Sequence, residues 1–231
     1  WEMSGWGPGG APRWGKQRGL CFEGDLCVQC GAIVLGSNLS EVTIERCFIH
    51  SPRGRSHSWR YSHPYGPQGI QARHPVSTVI RWCDIVGCDS RRFEDCIKCV
   101  GNDGYDAGLN RNADVYGCFL FGANDDCIEL DGGQQNVRFF QNRCEEALMG
   151  ASIQLVMTGP SYVFENAFTG LGTEFGHRCS AVKTSSVDAF GYGNASFVLH
   201  NTFCGPGSEA EAVDMSANAA TARLNVFNNL C

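Results

Sequence analysis

The chain is 231 residues long, 43% apolar and 11% aromatic, and carries a net charge of −6 from 18 Lys and Arg against 24 Asp and Glu. The apolar share excludes a disordered chain and supplies a long core, while the negative balance excludes nucleic acid as the main partner. No run of ~18 apolar residues occurs, so no membrane span is expected.

Fourteen cysteines are the strongest compositional signal. Metal sites bring C-x-x-C pairs close together, and the two pairs here, Cys27/Cys30 and Cys96/Cys99, lie far apart in sequence. Neither is followed by His, which excludes covalent c-type haem. Structural disulfides and an oxidising compartment are the expectation. The glycosylation sequons at Asn38 and Asn194 fit the same secreted or extracellular setting.

In chain order, residues 1–20 match no repeat and read as a lead-in or capping segment. Residues 21–231 repeat. Seven anchors share one frame: Cys47, Cys83, Cys118, Asn142, Asn166, Asn201 and Asn229. Three residues before them stand Ile44, Ile80, Val115, Phe139, Val163, Val198 and Val226. Two residues after stand Ile49, Ile85, Leu120, Cys144, Phe168, Phe203 and Cys231, so all fourteen flanking residues are apolar.

A second short strand precedes each anchor, with first inward residues Ile33, Ile70, Ile97, Ile128, Ile153, Val182 and Val213. Each repeat therefore reads strand, turn, strand and a variable loop, with no long helical periodicity. The spacing predicts an all-β chain, a right-handed parallel β-helix of about seven coils stacked ~4.8 Å apart, disulfide-bonded. A leucine-rich repeat has a similar Asn/Cys ladder. It needs a convex helix where this chain has a second strand, so the β-helix is preferred. Stacking puts Cys83 beside Cys47 or Cys118, and Cys96 beneath Cys127, at Cα separations a disulfide tolerates.

The stretches DDCIELDGGQQNVRFFQNRC, GPSYVFENAF and FVLHNTF resemble the pectate-lyase-type family of secreted parallel β-helix proteins. That resemblance implies the fold over roughly residues 30–231. It spans polysaccharide lyases, glycoside hydrolases, adhesins and non-catalytic members, so it leaves the activity open.

Outward side chains of the first strand form a row of Gln71, Lys98, Glu129, Gln154, Lys183 and Asp214, flanked by Arg73 and Asp131. Such a row suits extended polysaccharide, and equally suits an ordinary solvated face. EDCI and DDCI occupy one frame in consecutive coils, which gathers Asp95, Asp125 and Asp126 at a corner expected to face solvent or a cation. Clustered carboxylates can divide acid and base roles in glycoside hydrolysis. The frame is similar to the polygalacturonases, matching at Asp95, Asp125, Asp126 and Lys183; it departs where Ala151 stands for a His and Ala181 for an Arg.

The loop of residues 51–69 interleaves cations with rings, among them His57, Trp59, Arg60, Tyr61 and His63. Arg60 and Tyr61 are candidate substrate contacts. GNDGYDAG offers Asp103 and Asp106 as oxygen ligands for Ca²⁺, or forms a plain Asp/Gly turn.

The expected function is a β-helix protein that binds or cleaves polysaccharide, either glycosidase-like or lyase-like. The alternative is a structural or adhesive module, or a filament subunit without catalysis. The terminal RLNVFNNLC sits in the frame of a complete coil, so further chain or end-to-end self-association is expected to cover it.

Overall fold

The computed structural model describes residues 2–3, 20–21, 27–28, 30–52, 54–59, 61–100, 104, 108–153, 158–172, 179–184, 195–205, 210–214 and 223–231. Among these residues there is no helix, and so none long and apolar enough to cross a membrane. Three seven-stranded sheets carry the fold, and every pairing in them is parallel. Sheet I holds Cys30–Leu35, Pro67–Ala72, Ile97–Cys99, Asp126–Glu129, Met149–Ser152, Cys179–Lys183 and Ala210–Asp214. Sheet II runs from Thr43–Glu45 through Arg223–Phe227, and sheet III from Glu2–Met3 through Thr202–Cys204. Successive circuits of the chain add one strand to each sheet. The architecture is a parallel β-helix of about seven coils.

Sheet II pairs Ile44, Ile80, Val115, Phe139, Val163, Val198 and Val226 in one register, the row expected from the anchors. Sheet III pairs Ile49, Ile85, Leu120, Cys144, Phe168 and Phe203 in the same way. These rows, with Ile70, Ile97 and Ile128 of sheet I, are buried inside the tube, except Val226 on the last strand, which is 40% exposed. Each fully buried Ile or Leu contributes about 1.5–3 kcal/mol, and the row structure lets one coil's side chains cover the next.

One rung of sheet I differs from expectation. Ala151, not Ile153, pairs with Ile128 and Val182. Both residues are apolar and two apart, so the alternation of a strand alone permits either. The outward row consequently runs through Ser152, which pairs with Glu129 and Lys183; Gln154 lies outside the described residues.

The anchors sit at the turn between sheets II and III. The Oδ1 atom of Asn166 accepts the Asn142 backbone N–H at 3.0 Å and its side-chain amide at 3.1 Å. Asn166 Nδ2 in turn donates to the Phe139 carbonyl at 3.0 Å. Asn201 and Asn229 repeat the pattern, and Asn142 accepts the Cys118 N–H. Thiols take the first rungs: Cys83 and Cys118 reach the Ile44 and Ile80 carbonyls at 3.8 and 3.9 Å.

The residue before every anchor is left-handed: Arg46, Trp82, Gly117, Gln141, Glu165, His200 and Asn228 have φ between 50° and 63°. A non-glycine residue held there costs about 1–2 kcal/mol, and the ladder of buried amide bonds offsets that cost.

Cysteine chemistry departs from expectation. Cys47, Cys83, Cys96 and Cys127 are free thiols, so neither the Cys47–Cys83 nor the Cys96–Cys127 pairing is formed. Neighbouring coils can supply the Cα separation of a disulfide, but the bond also needs converging Cβ vectors, which stacking alone does not impose. Cys96 Sγ instead approaches the Ile85 and Phe121 carbonyls, and Cys127 Sγ the Leu120 carbonyl. Burial pushes the Cys96, Cys99 and Cys127 thiols well up, so they act as small apolar core groups. Cys30 is disulfide-bonded.

Two substitutions test this account. Asn166→Ala strands the Asn142 N–H and the Phe139 carbonyl in the core, and is expected to lower the unfolding free energy by about 2 kcal/mol or more, read from urea denaturation. Gly150→Ala drives a Cβ into the Phe168 ring and the Ala181 carbonyl; it should cost about 1–3 kcal/mol in the same measurement.

Candidate functional site

Sheet I positions the acids. Asp95 precedes the strand Ile97–Cys99, and Asp125 and Asp126 lead into Asp126–Glu129 on the next coil. The pairing of Ile97 with Ile128 stacks these two segments directly. One carboxylate oxygen from each of Asp95, Asp125 and Asp126 lies within 4.8 Å of the others. The Asp126 backbone N–H donates to Asp95 Oδ1 at 2.9 Å, which ties the two coils at the site.

The expected outward exposure is not found. Asp95, Asp125 and Asp126 are only 1%, 4% and 1% exposed. The loop between the first two coils folds back over the corner. Ser56 Oγ donates to the Phe93 carbonyl at 2.9 Å, Asn124 Nδ2 donates to Ser56 Oγ at 2.6 Å, and the Gly66 N–H reaches Glu94 Oε2 at 3.1 Å. From this loop Trp59 Nε1 donates to Asp125 Oδ1 at 3.3 Å, and His63 Nε2 stands 3.4 Å from Asp125 Oδ2.

Two lysines close the groove side. Lys98 Nζ contacts Glu94 at 2.7 Å, Asp95 at 3.2 Å and Glu129 at 3.6 Å. Lys183 Nζ contacts Asp126 Oδ2 at 3.2 Å. Burial pulls both ammonium groups down, but the surrounding carboxylates (Asp95, Glu129 and Glu94 around Lys98; Asp126, Asp125 and Asp131 around Lys183) outweigh it and hold them above the ordinary lysine range. Buried carboxylates respond in the opposite sense. Burial, then repulsion from Asp95, pushes Glu94 up to about 7 against the pull of Lys98 and Gln68. Burial likewise raises Asp125, with Asp95 adding to it and Lys183, His63 and Lys98 opposing. Asp126 is raised well above the carboxylate range by burial, which Lys183 opposes and Asp125, Asp95 and Glu129 reinforce.

Five of the six oxygens of the three aspartates therefore face N–H groups; only Asp126 Oδ1 is buried with no hydrogen-bond partner. Ca²⁺ takes six to eight oxygens. A corner whose oxygens already face an amide, an indole, an imidazole and two ammonium groups fits a proton instead. Asp103 and Asp106, the other calcium candidates, lie outside the described residues.

The remaining candidates scatter. Glu129 belongs to the corner through Lys98, and Asp131 accepts from Ser152 Oγ at 2.8 Å two residues further along the groove. Arg73 binds Gln71 Oε1 through Nε and Nη2. Tyr61 is 79% exposed on the loop surface, and Arg60 is outside the described residues. Asn38 is exposed in the turn after Cys30–Leu35; Asn194 is outside the described residues. Ala151 and Ala181, the points of departure from the polygalacturonase frame, are core residues, so neither position faces the acids.

Glu94, Gln68 and the pairing of His63 with Asp125 were not foreseen. Glu94 lies inside the EDCI motif, but its link to Gln68 at 2.5 Å crosses 26 positions. The Trp59–Asp125 contact spans 66.

No family model matches the sequence, and no curated protein matches it either. Among solved structures, a chain described as "Glycoside hydrolase" is similar at 11% identity with a TM-score of 0.50, over 86% of this chain and 38% of its own length. This chain thus spans well under half of that structure. The likeness is one of fold.

The raised acids give stability a defined pH dependence. A carboxyl group whose folded pKa exceeds its unfolded value stabilises the fold fully below the unfolded value and loses that contribution as pH rises through the folded one. For Glu94 the window runs from 4.5 to about 7. The melting temperature is expected to fall across it in the native chain, and to fall less in Glu94→Gln, by calorimetry at fixed ionic strength.

Proposed function

We propose that this is a carbohydrate-active β-helix protein that hydrolyses glycosidic bonds of a polysaccharide laid along the outward row of sheet I. The observation that carries this reading is the union of Asp95, Asp125 and Asp126 from two consecutive coils, with an asymmetric set of partners. Two carboxyl groups in unlike surroundings are the requirement for paired acid and base work.

Asp126 is the acid. Its Oδ2 is held by Lys183, and its Oδ1, buried and without a partner, is the atom that carries a proton to the glycosidic oxygen. Asp95 is the companion carboxylate, fixed by Lys98 and by the Asp126 N–H. It stabilises positive charge at the anomeric carbon or takes the proton of the attacking water. All three acids are covered, so on this reading the side chains above them shift when a sugar ring binds, as catalytic contacts commonly do.

The likeness in fold to a glycoside hydrolase is compatible with this reading. An extracellular location is part of the same proposal, supported by the Cys30 disulfide and the exposed sequon at Asn38. A stiff structural or adhesive module without catalysis is the reading that takes its place if the chemistry fails.

The test is incubation with a panel of neutral and acidic polysaccharides, read for new reducing ends and for unsaturated products at 235 nm. New reducing ends without 235-nm absorbance are expected. Asp126→Asn and Asp95→Asn should each lower the rate by at least ~10³-fold while the melting temperature stays near that of the native chain. Unsaturated products would replace hydrolysis with elimination, and no cleavage of any polymer would remove the enzymatic reading.

A further inference from the structure

His63 has a protonation state written into its contacts. Its Nδ1 lies 2.9 Å from the Pro64 carbonyl oxygen, which can only accept, so Nδ1 carries a hydrogen. Its Nε2 lies 3.4 Å from Asp125 Oδ2. A neutral ring with Nδ1 protonated turns a bare lone pair towards that oxygen, which repels a carboxylate. Two arrangements avoid the repulsion: an imidazolium facing an ionised Asp125, or a neutral ring accepting from a protonated one.

The surroundings choose between them. Half of the His63 side chain is in solvent, where a cationic ring stays hydrated. Burial alone favours a protonated Asp125, and the cations and the indole donor around it oppose that. Trp59 packs its ring 4.7 Å from His63 and donates its indole N–H to the other oxygen of Asp125. An indole N–H stabilises an ionised carboxylate more than a protonated one. The other charged groups acting on Asp125 are its neighbour Asp126, Asp95 and Lys98 from the preceding coil, and Lys183 from two coils further on.

We propose that His63 and Trp59 are positioning residues of the acid corner: the His63 imidazolium, oriented by Pro64, and the Trp59 indole hold Asp125 ionised and leave the proton of the Asp125/Asp126 pair on Asp126. This rests on the hydrolytic reading above for its catalytic meaning, but the charge pairing stands or falls without turnover. The physical logic is that of coupled carboxyl groups: two acids this close do not ionise independently, and whichever has the better donors gives up its proton first. Asp125 has the Trp59 indole donor on Oδ1 and the His63 ring within ion-pair distance of Oδ2. Asp126 has one side-chain donor, Lys183, and deeper burial.

The experiment is an NMR titration of the free protein, following the Asp125 side-chain carboxyl carbon and the His63 ring protons. His63→Gln is expected to move the Asp125 midpoint up by ~1 pH unit, and Trp59→Phe to move it less in the same direction. Asp125→Asn should abolish the change in the His63 ring shifts that accompanies the Asp125 titration. The acid limb of kcat/KM should shift with the Asp125 midpoint in both loop variants, a displacement that a packing role alone does not produce. Circular dichroism confirms that each variant is folded; if His63→Gln is not, the Trp59→Phe and Asp125→Asn titrations decide. Midpoints that stay in place in folded variants overturn the proposal whatever the activity. Midpoints that move in a protein that cleaves no polysaccharide support the pairing and remove the hydrolytic reading instead.

Discussion

Coil-to-coil registry is the constraint on which everything else in this molecule depends. The backbone bonds of three parallel sheets set the rise, but uniform ladders tolerate slippage. The buried amides of Asn142, Asn166, Asn201 and Asn229 do not, because each satisfies the neighbouring coil at the side chain and at the backbone. A slip of one residue would leave several buried polar groups unpaired at once. With registry held at the turn, the strands of sheet I bring the segments bearing Asp95 and Asp126 together across 31 positions. The acid corner follows from this stacking.

Its electrostatics follow from burial. Five acidic side chains (Glu94, Asp95, Asp125, Asp126 and Glu129) meet two lysines in a space nearly closed to water. Removing charges from water is costly, and the pairs formed here repay the cost only in part, so burial raises Glu94, Asp125 and Asp126 above the ordinary carboxylate range. A corner of this composition contributes little to stability. What it holds is a set of protons in defined places, and that is a property catalysis uses.

The rows Ile44 to Val226 and Ile49 to Phe203 were legible in the sequence because an inward position repeats identically in every coil, and so was the joining of Asp95 with Asp125 and Asp126. Three things were not. The frame at Ile153 slipped to Ala151 because small and large residues alternate across a crowded coil, where Phe168 fills the space beside Gly150. The left-handed residues before the anchors are Arg, Trp, Gly, Gln, Glu, His and Asn, with no shared chemistry, since the ladder and not the residue imposes the conformation. The covering of the acids by Trp59 and His63 depends on how a long loop folds back, which carries no periodic signal.

The ladder also changes material along its length. Its first three rungs are thiols, of which Cys83 and Cys118 reach the preceding coil's carbonyls at 3.8 and 3.9 Å, while all three also turn to a carbonyl of their own coil at 3.3–3.5 Å. Its last four are amides bonded to the preceding coil at close to 3 Å. The two segments that carry Asp95 and Asp125 lie on either side of the Cys118 rung, next to the switch from sulfur to amide. A rod of this kind does not yield uniformly. Amide hydrogens should exchange fastest at the sulfur-laddered end and slow across the asparagine rungs, which places the acid corner at the boundary between a compliant segment and a stiff one.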